Sequence, residues 1–215
     1  MTPIRTILTA LIFTTLSAFA RDAAKANEAL LHATSPFEDI VEFALDKNDA
    51  SIAKMLITAD GNTAAVREAL PAAALEQFNT LLAALHKAAT DKAHHAVALN
   101  SVELFRVLID NLDSASLKVP KEVSLLDYVG FKLHVLEAAP HPDWNEMRKT
   151  AADAGPRWDA IKSKLTDRKL GDAFNTTVRG LQQAAKTENL PMLHFAAQID
   201  LDLVDLLEKH FEAKK

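Results

Sequence analysis

Apolar positions recur every three or four residues along most of this chain, the spacing of amphipathic helices. Ser35-Pro36-Phe37-Glu38 is the first firm start signal: Ser35 as N-cap, Pro36 at the first helical position and Glu38 reaching back form a capping box. Behind it Phe37, Ile40, Val41, Ala44 and Leu45 make one stripe. A second segment from about Ala50 turns Ile52, Met55, Leu56 and Ala59 inward, breaks at Asp60-Gly61 and resumes through Val66 and Leu70. The third has the cleanest period, Leu75, Phe78, Leu82 and Leu85. The fourth runs from Asp91 to about Leu112 with Val97, Leu104, Phe105, Leu108 and Leu112 facing in. Residues 21–34, rich in alanine, fit either a helix or a loose lead-in.

The order then repeats beyond a polar linker at Asp113–Val119. Pro120 opens a helix through Leu125, Val129, Leu133 and Leu136. A turn at Pro140-His141-Pro142-Asp143 leads to a helix with Trp144 and Met147, broken at Gly155-Pro156 and continued by Trp158, Ile161 and Leu165. Leu170, Phe174, Val178, Leu181 and Ala185 give the third helix of this half, and Met192, Ile199, Leu203, Leu206 and Leu207 the fourth. Phe78-Asn79-Thr80 recurs as Phe174-Asn175-Thr176, 96 positions later, and the same offset pairs Leu85 with Leu181 and Ala88-Ala89 with Ala184-Ala185. Gly61 pairs with Gly155 at a slightly shorter offset. The expectation is an all-α, up-and-down helical bundle: a lead-in at 21–34, then two similar four-helix units at 35–115 and 116–215, products of an internal duplication.

The first 20 residues follow a different rule. Arg5, a short apolar run through Thr6-Ile7-Leu8 and Ala10-Leu11-Ile12-Phe13, and Ala18-Phe19-Ala20 read as a Sec-type bacterial signal peptide cleaved after Ala20. The run falls short of a spanning helix, and no later segment could cross a membrane. These features predict a periplasmic or secreted protein. Cleavage removes one positive charge and no acid, taking the net charge from −5 to −6. An acidic chain with no basic patch argues against nucleic acid as a partner and leaves a protein or a small molecule.

Composition narrows the chemistry. With no cysteine there is no disulfide framework, no thiolate nucleophile, no Cys-ligated zinc and no thioether-linked haem. There is no GxSxG, no Gly-rich phosphate loop and no HExxH, so the chain reads as a non-enzymatic binding or scaffolding module. Histidine carries what chemistry remains. Antiparallel topology brings His86, His94 and His95 to one end of the first unit and His134, His141 and His194 to the same end of the second. Within these sets Asp91, His94 and His95 are the densest, at spacings that bring helical side chains together. They are the candidate ligands for copper or zinc, set against a simpler reading of Asp91 as an N-cap and His94 as a core histidine. On helical wheels His134 shares a face with Asp127 and Glu137, and His194 one with Gln198 and Asp205; both faces read as solvent-exposed, with Met192 turned to the core. Asp200, Asp202 and Asp205 read as solvated charge on the outer face of the last helix. A third reading is b-type haem between His and Met of facing helices, with Met55, Met147 and Met192 as the candidate thioethers. The chain is similar to small periplasmic four-helix cytochromes in export, size per half and helix count, but lacks CxxCH.

Overall fold

A computed structural model describes residues 22–213, and every element among them is helical. The signal-peptide segment lies outside the described residues. α1 covers 22–32, followed by α2 (Ser35–Leu45), α3 (Asp49–Ala69), α4 (Ala72–Thr90) and α5 (His94–Asp110). A 3₁₀ turn at Ser114–Ser116 leads to α6 (Lys121–Glu137), α7 (Trp144–Ile161), a second 3₁₀ turn at Lys162–Lys164, α8 (Arg168–Lys186) and α9 (Leu190–Ala213). No helix among the described residues is long and apolar enough to cross a membrane.

Neighbours in sequence pack against each other. α2 contacts α3 and α5, and α4 lies between α3 and α5; α6 contacts α7 and α9, and α8 lies between them. α6 also packs on α5 and touches α2, and its apolar residues accordingly run all round it: Val123, Leu125, Leu126, Val129, Leu133, Val135 and Leu136 are buried together. Lys132, buried on this central helix, is held by Glu103 of α5, which also accepts a hydrogen bond from Tyr128. Aromatic pairs fill the core: Phe37 meets Phe78 edge-on at 6.2 Å, and Trp158 stacks on Phe174 at 4.7 Å while its Nε1–H donates to Asn175 at 2.7 Å.

Three helices end on the same reversal. Lys47, Lys92 and Glu188 adopt positive φ (57°, 55° and 54°), and the amide of the following residue reaches back five positions: Asn48 to Phe43, Ala93 to Ala88, Asn189 to Ala184, at 2.8–2.9 Å. This is the Schellman closure, made without glycine. It turns the chain within three residues and sets each next helix antiparallel to its predecessor.

Several expectations are corrected. α3 and α7 run unbroken through Asp60-Gly61 and Gly155-Pro156. An interior proline loses one backbone bond, yet α7 is held across it by Met147, Thr150, Ala151, Ala154, Trp158 and Ile161, all buried on one face. The capping box at Ser35 does not form. α1 turns almost directly into α2, so the position before the helix is Thr34, whose hydroxyl donates back to Leu31 O at 2.9 Å rather than capping forward. Residues 22–32 are a helix rather than a loose lead-in, anchored by Asn27 to Asp113 and Ser116 in the linker. Asp91 is not the N-cap of the fourth helix: it follows the end of α4, and α5 starts only at His94 because the Schellman turn occupies the residues between. Met192 and Leu206, expected inside, are exposed, and Asp200, expected outside, is completely buried.

Candidate metal centre

His134 and Glu137 lie one turn apart at the C-terminal end of α6, and His194 lies in the first turns of α9, which runs against α6. Local sequence fixes both ends. Ala138-Ala139-Pro140 stops α6 just after Glu137. Asn189 starts α9, its side chain accepting from Met192 N at 3.1 Å and its carbonyl from Leu193 N at 2.9 Å.

Glu137 Oε1 is the meeting point. It stands 2.7 Å from His134 Nδ1 and 2.5 Å from His194 Nδ1, and the two rings meet edge-on with centroids 5.1 Å apart. One ligand atom from each of the three residues falls within a mutual 4.8 Å. The side chains of His134 and Glu137 are each only 11% exposed, while that of His194 is 62% exposed. His134 Nε2 and Glu137 Oε2 are buried with no hydrogen-bond partner, an unfinished coordination of polar groups that a native interior seldom tolerates. The cluster opens into a pocket of about 500 Å³ walled by Leu45, Ala138, Leu190 and Pro191.

Two imidazoles and a carboxylate are a donor set for a borderline divalent ion, leaving a fourth position open. At metal–ligand distances of roughly 2.0–2.2 Å, tetrahedral ligand atoms stand about 3.3 Å apart. The present 2.5–2.7 Å contacts would therefore spread by less than 1 Å as the ion replaced the shared protons. That motion is within reach of side-chain rotation at an exposed His194.

Asp91, His94 and His95 are not brought together in this way. Asp91 pairs with Lys87 on its own helix. His95 turns towards α6 and contacts Val135 O at 3.0 Å through Nε2. His94 is partly exposed and contacts Asp49 at 2.8 Å, and Lys92 takes the other oxygen of the same carboxylate at 2.8 Å. Hydrogen bonds from Lys92 and then His94 hold the Asp49 carboxyl below its usual range. His86, paired with Asp60 at 2.9 Å, joins them in lining a cleft of about 260 Å³ with Ile52, Leu56 and Val97. An ammonium group in that cleft opposes a metal cation by direct repulsion. Of the candidate haem thioethers, Met147 is fully buried and Met192 is exposed.

The sequence did carry a signal for the observed cluster. His134-x-x-Glu137 is a one-turn pair, and the polar faces of α6 and α9 were both visible on helical wheels. What the wheels lacked was that these two faces look at each other. No protein-family model matches the chain, and neither does any curated protein or solved structure, so its chemistry is read from its own residues.

Proposed function

We propose that the chain is an exported, non-enzymatic helical-bundle protein that binds a transition-metal ion of the zinc or copper(II) class through His134, Glu137 and His194. The observation that carries the reading is the convergence of three ligand atoms from two helices, with two buried polar atoms of the same residues left unpartnered. Nitrogen and carboxylate donors suit these ions, and with no cysteine in the chain a thiolate-selected ion is excluded. Export rests on Arg5, the apolar run behind it and Ala18-Phe19-Ala20.

The bundle itself we read as a duplicated four-helix unit. In its support, α4 and α8 begin and end 96 positions apart, as do the starts of α5 and α9, the positive-φ residues Lys92 and Glu188 and their closing hydrogen bonds. The buried phenylalanines Phe78 and Phe174 keep the same offset. On this reading the first unit has no counterpart of the metal centre, since Ala98 stands where His194 does.

The test is direct. Purified protein stripped with chelator should take up one equivalent of zinc or copper(II) by calorimetry and elemental analysis. His134→Ala/His194→Ala should abolish uptake and His94→Ala/His95→Ala should leave it intact. Absence of uptake, or loss in the second double variant alone, overturns the assignment.

A further inference from the structure

About 10 Å along α6 from His134, two turns towards its N-terminus at 1.5 Å per residue, the character of the α6–α9 seam changes from histidine to carboxylate. Asp200 of α9 is fully buried and neither of its oxygens has a hydrogen-bond partner. It points at the backbone of α6: a Cβ placed on Gly130 would lie 3.2 Å from Asp200 Oδ2 and 2.5 Å from Leu201 Cδ2. Glycine in a helix interior costs about 1 kcal/mol against alanine. Here it lets α9 approach closely enough to press an unpaired carboxylate onto its neighbour.

One turn from Gly130 stands Asp127. Four carboxylates lie close enough to act on its charge: Glu38 from α2 and Asp200, Asp205 and Glu208 from α9. Glu38 in turn faces Glu208, with Asp39 and Glu42 on its own helix and the Thr34 hydroxyl beside it. Among the principal charges on these groups the one basic group is Lys209, which acts on Glu208 alongside Asp205 and Glu212. A carboxylate removed from water without a partner must be neutralised, by a proton or by a cation. Three helices contributing acids to one seam, around a buried aspartate with both oxygens free, is an arrangement a cation completes.

We propose that Asp127 and Asp200, with Glu38 and Glu208 closing the set from α2 and the end of α9, hold a hard divalent cation of the calcium and manganese class. Oxygen-only donors select these ions over zinc and copper, which prefer the imidazoles further along the seam. The two sites therefore take different ions. Calcium accepts six to eight oxygens at roughly 2.3–2.6 Å in adaptable geometry, which four carboxylates and water can supply. Among the described residues, three or more ligand atoms already stand within 4.8 Å only in the His134 set. Filling the acidic site thus draws α2 and the C-terminal half of α9 in on α6.

The test uses the His134→Ala/His194→Ala protein, so that it is independent of the first site. After chelator treatment at pH 7.5 it is titrated with calcium chloride or manganese chloride alone, followed by calorimetry, thermal unfolding and, for manganese, loss of the free-ion electron paramagnetic signal. One equivalent should bind, the unfolding temperature should rise, and amide exchange should slow in α9 after residue 200. Asp200→Asn and, separately, Asp127→Asn should each weaken binding ~10-fold or more while the apo proteins fold at least as stably as their parent. The proposal is overturned if neither ion binds and the unfolding temperature responds to acid alone, for then the seam holds protons only. It is equally overturned if both aspartate variants bind as their parent does.

Discussion

Raising the pH should loosen this protein in the absence of metal, and Glu38 sets the window. Burial first, and then the like charge of Glu208, push its carboxyl from 4.5 up to about 7. The folded state therefore keeps a proton between these values that the unfolded chain has released. Stability from this group is full below pH 4.5, falls as the pH rises towards 7 and is flat above it. At ~1.4 kcal/mol per unit the shift is worth at most about 3 kcal/mol, and solvent screening at a partly exposed site reduces the expectation to about 1–2 kcal/mol. For a domain of this size that lowers the unfolding temperature by roughly 2–8 °C between pH 4.5 and 8. Burial moves Asp127 and Asp200 in the same direction and adds to the fall. Asp49, whose carboxyl is shifted down, loses its contribution only under more acid conditions and stays outside this window. The assay is urea unfolding in chelator at half-unit pH steps, for the parent and Glu38→Gln. The difference between the two curves isolates Glu38 from the histidines, which titrate in both proteins. Glu38→Gln should gain on its parent steadily from pH 4.5 to 7 and then run parallel. A difference that is flat across that range, or of opposite slope, would refute the placement of Glu38 against Glu208.

Two glycines in helix interiors should respond oppositely to alanine under chemical denaturation. Gly130→Ala forces a methyl to 2.5 Å from Leu201 Cδ2 and should cost about 1–3 kcal/mol, whereas Gly61→Ala meets nothing within 4 Å and should gain up to about 1 kcal/mol. The left-handed Lys47 should accept glycine with a gain of about 0.5–1 kcal/mol, because its side chain bears the strain of the closure after α2; a loss on Lys47→Gly would show the turn is held some other way.

Helix type and most of the core were legible because a period of three to four survives any arrangement of the helices: Phe37, Phe78, Leu85, Phe105, Trp158, Phe174 and Leu181 are all buried as the spacing predicts. Breaks were not legible. Gly61 and Pro156 weaken a helix locally, but the penalty is smaller than the burial of Leu56, Ala59 and Val66 on one side, or of Ala154, Trp158 and Ile161 on the other. The sites failed for a different reason in each case. At about 100° per residue, Asp200 falls in the middle of the apolar arc formed by Leu193, Ala197, Val204, Leu207 and Phe211. Reading it with its sequence neighbours Asp202 and Asp205 hid that angle; the wheel alone would have marked an acid in the core. His134, Glu137 and His194 did lie on the polar faces that the wheels assigned. A polar face on one helix is indistinguishable from a solvent face until the helix opposite is known, and here the helix opposite α6 is one that starts more than fifty residues later. Buried polar pairs across a seam are thus invisible to periodicity even when every residue is placed on its proper side. An acidic or histidine-bearing face on a helix that is otherwise apolar all round, as α6 is, is the one local sign that such a face is turned inward.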